Sequence, residues 1–183
     1  MHRVPVPYAC PMALLDAEGV LITGVYGSGK STVAVEIAYL LEQRHQPYAL
    51  LDLDFLGWGV NYSDDDSSRF GLMLRNVAAV VSNYREAGIS VFVLAHFVRD
   101  QDALRGIRKA VGVPLRVVRV SVPLPEIAQR LAADVTAERR ENLREAGRQT
   151  AAGEGVGLED AMVANDRPVA VVARQVMSWL GWV

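Results

Sequence analysis

Several residue types that mark particular protein classes are scarce in this 183-residue chain. Its one cysteine, Cys10, excludes an internal disulfide and a cysteine-cluster zinc site, and it suits a reducing cytosol. The three histidines lack the spacing of metal ligands. No apolar run reaches the roughly 18 residues that span a bilayer, and residues 1–11 do not resemble a signal peptide. These absences favour a cytoplasmic protein without membrane contact.

The chain also lacks a strong excess of charge. Its net charge is -2, which argues against a nucleic-acid partner. The hydrophobic fraction of 51% supports one folded domain over residues 1–183, after a loose lead-in at 1–17. Lysine occurs only at Lys30 and Lys109, so arginine is the usual cation here. The sequence leaves a homodimer open.

Short apolar runs alternate with segments of helical periodicity along the chain. Strands are predicted at 19–23, 48–54, 89–95, 115–122 and 161–164, and helices at 30–43, 70–87, 100–111, from 123 onward, 136–148 and 168–181. This alternation predicts an α/β fold with a doubly wound, mostly parallel five-stranded sheet covered on both faces. Ligands of such sheets bind at the carboxyl ends of the strands.

One motif lies at such a strand end. Residues 24–31 read Gly-Val-Tyr-Gly-Ser-Gly-Lys-Ser and match G-x-x-x-x-G-K-S between a predicted strand and a predicted helix. Backbone N–H groups of this loop are expected to form an anion site, where Lys30 would contact the β- and γ-phosphates and Ser31 would hold Mg²⁺. The predicted nucleotide-binding residues here are Gly24, Gly27, Ser28, Gly29, Lys30, Ser31 and Thr32. ATP and Mg²⁺ are therefore the expected cofactors.

Two carboxylates end the second predicted strand. Asp52 and Asp54 are two residues apart, so strand geometry points both to one face. Beside a triphosphate, Asp52 is predicted to orient Mg²⁺ and Asp54 to accept the proton of an attacking hydroxyl. A solvated strand end, or an aspartate that caps the next turn, is the alternative.

These motifs resemble the adenylylsulfate kinase group and related small-molecule kinases. The resemblance runs over about residues 18–131 and includes the phosphate loop, L-D-x-D at 51–54, Arg75-Asn76-Val77 and residues 87–95. It implies transfer of the ATP γ-phosphoryl group to an acceptor hydroxyl near Asp54. It also implies that Arg69, Arg75 and Asn76 surround the acceptor.

The chain departs from that group at the acceptor side. Gly57 stands where the group has an arginine, and Leu53 replaces its usual glycine. Three acceptor classes therefore stay open: a compact anionic metabolite, a bulkier natural product such as an antibiotic, or a nucleoside or nucleotide. The aromatic residues near this side are Phe55, Trp58, Tyr62, Phe70 and Phe97, which suit either a ring-binding pocket or the core.

The second half of the chain resembles the lid and base pocket of small kinases. Residues 134–158 are predicted to form a charged lid helix followed by a flexible glycine loop, and at least one of Arg139, Arg140 and Arg144 would reach the phosphates on closure. Glutamates on the same helix allow simple local ion pairing instead. Arg130 and Asn165 resemble residues that bind adenine, although a surface arginine and a helix-start signal explain them equally. His96, after the third strand, is either an acceptor contact or a structural histidine.

The sequence therefore predicts an ATP-dependent phosphotransferase acting on a small hydroxylated molecule. A nucleotide-binding regulatory or assembly protein with little acceptor phosphorylation is the alternative. The third predicted strand disfavours that alternative, because it is followed by His96 and lacks the acidic residue expected of a switch or motor ATPase.

Overall fold

The sheet orders the whole fold. The computed structural model describes residues 17–59, 66–132 and 137–182. Its strands are β1 (Glu18–Thr23), β2 (Tyr48–Asp52), β3 (Val91–Ala95), β4 (Leu115–Ser121) and β5 (Ala161–Ala164). They form one five-stranded sheet in the order β2-β3-β1-β4-β5, and every neighbouring pair is parallel. The predicted α/β fold is confirmed, and the predicted lead-in lies almost wholly outside the described residues.

Seven helices connect and cover these strands within the described ranges. They are α1 (Lys30–Glu42), α2 (Leu53–Leu56), α3 (Asp66–Glu86), α4 (Gln101–Val111), α5 (Leu124–Ala132), α6 (Ala137–Ala151) and α7 (Val169–Leu180). Sequence periodicity missed α2, since a single turn is too short to show a repeat. It also placed the start of α3 four residues too late, at 70 rather than Asp66.

Each face of the sheet carries its own apolar core. Alternate residues of β1 point to opposite faces, so Val20 and Ile22 pack against α1 and α7, whereas Leu21 packs against α3 and α4. All three side chains are fully buried. The two cores hold the sheet between helical layers, which leaves the carboxyl ends of its strands as the functional edge.

The predicted lid is packed more closely than its charge pattern suggests. Ala146 of α6 is fully buried beside Val25 and Ile127, and Leu143 packs on the same cluster. The glycine loop after α6 is docked too, because the Gly155 N–H donates to the Arg99 carbonyl at 2.8 Å. This half of α6 is therefore packed on the rest of the fold, although its many charges are typical of a solvated helix. Three apolar contacts among many charged residues were too few to give α6 a recognisable pattern of buried positions in the sequence.

No helix in the described part of the chain is both long enough and apolar enough to cross a membrane.

Candidate active site

The phosphate loop joins β1 to α1 at the edge of the sheet. Gly24 has a φ of +146°, and a Cβ there would lie 2.5 Å from the Val120 carbonyl oxygen. Gly29 has a φ of +90° and ends the loop directly before Lys30. Glycine is required at both positions by conformation, and also by space, since a Cβ at Gly29 would lie 2.4 Å from Asn165 Nδ2. The loop thus keeps the tightly wound form that directs backbone N–H groups at an anion.

Lys30 is held within the loop. Its side chain is buried, with 8% exposed, and its Nζ donates to the Val25 carbonyl at 3.4 Å. The ammonium also lies 5.4 Å from the centre of the Tyr26 ring. Burial lowers the pKa of Lys30, while the nearby carboxylates of Asp54 and Asp52 oppose that shift. A bound phosphate group would add negative charge next to this buried cation and so favour its charged form further.

Asp52 ends β2 and joins it to the phosphate loop. The Ser31 hydroxyl donates to Asp52 Oδ2 at 2.7 Å, while Asp52 Oδ1 accepts from the Asp54 N–H at 3.1 Å. The second contact caps α2, so the strand stops at Asp52 and not at Asp54 as predicted. The two carboxylates therefore do not share a strand face. Asp52 thus caps the next turn, as the alternative predicted, and it also contacts Ser31 as its predicted metal role requires.

Asp54 forms a pair with His96. Asp54 Oδ1 lies 2.6 Å from His96 Nδ1, and the aspartate side chain is about half exposed, at 49%. Since an ionised carboxylate only accepts, Nδ1 carries the shared proton. Burial raises the pKa of Asp54, but hydrogen bonding and charge from His96, with charge from Lys30, outweigh it and lower the pKa overall. Asp54 is therefore ionised at neutral pH.

A cavity of about 880 Å³ opens beside this pair. Among the described residues it is lined by Tyr26, Lys30, Leu53, Asp54, Gly57, Arg69, Phe70, Met73, His96, Phe97, Arg99, Asp100, Asp102, Ala103, Glu145 and Gln149. The lining combines aromatic rings with charges of both signs. The phosphate-binding lysine, the Asp54–His96 pair and a space for a small molecule therefore lie together.

Two of the predicted acceptor contacts lie elsewhere. Arg69 lines the cavity, but Arg75 and Asn76 do not. Asn76 donates to the Leu56 carbonyl at 2.7 Å and so fixes α2 against α3. Arg75 is exposed on α3. Nearly two helical turns separate Arg69 from Arg75 and Asn76, so the pair lies further along α3, past the cavity.

The predicted base-binding residues border the phosphate loop. Asn165 follows β5, is buried, and donates from Nδ2 to the Ser28 carbonyl at 2.7 Å. Arg130 donates to the Asn165 carbonyl at 2.6 Å and to Glu126 at 2.6 Å. The Asn165 amide therefore holds the loop itself. The Arg130 guanidinium lies at the adjoining edge, where the prediction placed adenine.

The predicted lid arginines and aromatic residues differ in their positions. Arg139 and Arg140 belong to α6, but their side chains lie outside the described residues, as does Tyr62. Phe70 and Phe97 line the cavity. Phe55 and Trp58 instead stack on each other at 5.7 Å and are largely exposed.

Sequence reasoning missed two groups of cavity residues. Arg99, Asp100 and Asp102 lie at the start of α4, where Asp100 caps the helix by accepting from the Ala103 N–H at 2.8 Å. The capping aspartate was a usable signal. Glu145 and Gln149 come from α6, and Gln149 Oε1 accepts from the Tyr26 N–H at 3.3 Å. The sequence spacing gives no indication that α6 contacts the phosphate loop.

The donors near the loop suit a metal ion held jointly with phosphates. No group of three or more His, Cys, Asp and Glu residues that could hold a metal occurs in the described part of the chain. Mg²⁺ needs no such group, because one or two protein oxygens together with substrate phosphates are its usual ligands. The Ser31 hydroxyl and the Asp52 carboxylate, 2.7 Å apart, fit that arrangement.

A comparison with protein families establishes the relationship of the chain. A family model described as an AAA domain matches residues 20–152, which is more than half of the sequence. The chain belongs to this AAA domain family. The matched segment contains the phosphate loop, Asp52, Asp54 and His96, so it holds most of the candidate site of this AAA domain.

Individual relatives agree with the resemblance to adenylylsulfate kinases, which is confirmed. The adenylyl-sulfate kinase of Pseudomonas aeruginosa is 34% identical over 116 residues, which cover 60% of this chain and 56% of the relative. The AAA domain chain thus spans little more than half the length of the curated relatives it matches.

Solved structures show the same fold. A gluconokinase from Sinorhizobium meliloti has a TM-score of 0.61 and 18% identity, covering 91% of this chain and 93% of its own. The Mycobacterium tuberculosis APS kinase CysC, in complex with AMPPNP and APS, has a TM-score of 0.59 and 22% identity, covering 91% and 98%. The AAA domain chain therefore has a P-loop kinase-like α/β fold.

Proposed function

We propose that this protein transfers the γ-phosphoryl group of ATP to a hydroxyl of a small molecule bound in the cavity beside Asp54. One observation carries the proposal: Lys30 of the phosphate loop and the Asp54–His96 pair line the same cavity. A phosphate donor site and an acidic group thus share a single space. The kinases among the relatives and structural neighbours support it.

The nucleotide side needs groups that bind phosphate and metal. The phosphate loop would hold the triphosphate through its N–H groups, with the Lys30 ammonium on the β- and γ-phosphates. Ser31 and Asp52 would hold Mg²⁺, which supplies charge neutralisation for the phosphates. Arg130 and Asn165 border the loop, where the adenine ring would lie.

Asp54 would act on the acceptor. Its carboxylate accepts a hydrogen bond from the acceptor hydroxyl and holds that oxygen in line with the γ-phosphorus. The hydroxyl oxygen then bonds to phosphorus while the bond to the bridging oxygen breaks, ADP leaves, and the hydroxyl proton passes to Asp54 and on to solvent. A low pKa suits this role, because a loose transition state needs orientation more than a strong base.

The cavity favours an acceptor other than adenylyl sulfate. Gly57, where that kinase group has an arginine, lines the cavity, and a Cβ at Gly57 would lie 3.2 Å from the Met73 Cβ. An arginine would therefore crowd α3, and the cation it offers an anionic acceptor is absent at this position. The rings of Tyr26, Phe70 and Phe97 instead offer apolar contact. We infer a hydroxylated molecule that has an apolar or ring-bearing body and needs no cation at position 57.

A coupled assay of ADP release from Mg·ATP tests the function directly. Purified protein is assayed with a panel of hydroxylated metabolites, antibiotics and nucleosides, and Lys30→Ala is the inactive control. Stimulation by one acceptor, lost in Lys30→Ala, is the expected result, with the phosphorylated product identified by mass. Tight Mg·ATP binding without stimulation by any acceptor class would contradict the proposal and favour a regulatory role.

A further inference from the structure

One peptide group of the phosphate loop is held at both of its ends. The peptide between Val25 and Tyr26 directs its carbonyl at Lys30 Nζ, 3.4 Å away. Its N–H donates to Gln149 Oε1 at 3.3 Å. The same carbonyl also accepts from the Ser28 N–H at 3.1 Å. Gln149 lies 123 residues further along the chain and is nearly fully buried, with 4% exposed.

The orientation of the Gln149 amide is itself fixed. Gln149 Nε2 donates to Glu145 Oε1 at 3.0 Å, one turn earlier on α6. Arg148 holds that carboxylate through Nη2 and Nε, at 2.5 Å and 2.8 Å. Because Glu145 only accepts, the Gln149 amide must present its NH₂ to Glu145 and its oxygen to Tyr26. A flipped amide would set two donors against each other.

The hydrogen-bond network that holds Gln149 extends beyond α6. Arg148 Nη1 donates to Glu154 at 2.8 Å, and Glu154 lies 3.8 Å from the Arg99 guanidinium. Arg99 lines the cavity, as do Gln149 and Glu145. The group that holds the loop peptide is therefore built into the wall of the acceptor cavity.

We propose that Gln149 is a positioning residue for nucleotide binding, which fixes the Val25–Tyr26 peptide so that its carbonyl and the Tyr26 ring hold Lys30 ready for the phosphates. Without Gln149 the peptide loses its link to α6 and keeps the Ser28 N–H on its carbonyl, so it is held less firmly and the carbonyl shifts relative to the ammonium. The Tyr26 ring, 5.4 Å from Lys30 Nζ, moves with the same peptide. The inference concerns nucleotide binding alone and does not depend on phosphotransfer to any acceptor.

Gln149→Met tests this role, since methionine keeps the length of the side chain and removes the strong acceptor. The affinity for Mg·ATP is measured by calorimetry at one pH. We expect a loss of about tenfold, the size produced when one partly buried hydrogen bond is lost. Gln149→Asn, which is polar and too short to reach Tyr26, is expected to lose affinity likewise. Thr150→Ala, at the next position of α6, is the matched control and should bind as the wild type does.

The scarcity of lysine provides a spectroscopic signature. Protein labelled with [6-¹³C]lysine gives two side-chain signals, from Lys30 and from the exposed Lys109 on α4. Without nucleotide, Gln149→Met should move the Lys30 signal and leave the Lys109 signal in place. General loosening of the protein would not single out one lysine in this way.

Two results would overturn the inference. One is Mg·ATP affinity within about twofold of the wild type in both Gln149 variants. The other is a loss of affinity that Thr150→Ala shares while the Lys30 signal stays unmoved, because α6 would then contribute only to overall stability. A failure to phosphorylate any acceptor would leave these binding results intact, so the two proposals are tested separately.

Discussion

At the scale of single residues, Asp54 is the group on which the proposed chemistry depends most. Asp54→Asn keeps the shape of the side chain and removes its charge. We expect kcat for the acceptor reaction to fall by about 100-fold, the usual contribution of a positioned acid or base. The Kd for Mg·ATP should change little, since Asp54 is not expected to contact the phosphates.

Steady-state kinetics and calorimetry on the same protein preparation check this prediction. Glu86→Gln, an exposed carboxylate on α3, is the matched control and should show wild-type kinetics. Wild-type kcat in Asp54→Asn would remove Asp54 from the reaction. A large loss of Mg·ATP affinity would instead move its role to the nucleotide.

Residue patterns predicted the phosphate loop well and the acidic strand end only in part. The loop could be predicted because Gly24, Gly29 and Lys30 are needed by local conformation and chemistry, which the motif records directly. The positions of Asp52 and Asp54 depend on where β2 stops. That point is set by the cap that Asp52 places on a four-residue helix, which no periodicity reveals.

At the scale of elements, α6 depends on charge pairs that acid should weaken. Hydrogen bonds from Arg148 lower the pKa of Glu145 below its ordinary value of 4.5. A carboxyl with a lowered pKa in the folded state stabilises it fully above pH 4.5 and loses that effect as pH falls through the lowered value. Glu145→Gln should therefore lower Tm at neutral pH, and its difference from wild type should shrink below pH 4.5.

Thermal unfolding followed by circular dichroism over a series of pH values gives the comparison. Glu86→Gln on α3 again serves as the matched carboxyl-to-amide control. A Tm difference for Glu145→Gln that stays constant from neutral to acidic pH would contradict the charge-pair account.

The composition of α6 explains why the sequence pattern did not predict how the lid packs. Glutamates and arginines dominate α6, and so its pattern indicates a solvated helix. Its packing depends on Leu143, Ala146 and Gln149, which share one face at a spacing of three residues. Alanine and glutamine carry almost no hydrophobic signal, and only the tertiary structure reveals that this face meets the phosphate loop.

At the scale of the whole molecule, one end of the parallel sheet carries the candidate site and the other end carries a hydrogen-bond cluster. The candidate site collects at the carboxyl ends of β1, β2 and β3, whereas the opposite end is closed by the C-terminal segment. There the Trp182 indole donates to Glu18 at 2.8 Å, and Arg116 donates to the same carboxylate at 2.7 Å. Arg44 donates to the Trp182 carbonyl at 2.5 Å and so joins the end of α1 to this cluster.

This separation predicts that stability can be changed at one end without loss of nucleotide binding at the other. Trp182→Phe keeps an aromatic ring and removes the N–H donor to Glu18, so the free energy of unfolding in urea should fall by about 1 kcal/mol. Mg·ATP affinity should stay at the wild-type value, since the sheet separates the two ends. Trp179→Phe is the matched control, because the exposed Trp179 offers Arg116 only its ring face. Equal stability of the two variants would show that the indole hydrogen bond contributes nothing, and weaker nucleotide binding in Trp182→Phe would show that the two ends are coupled.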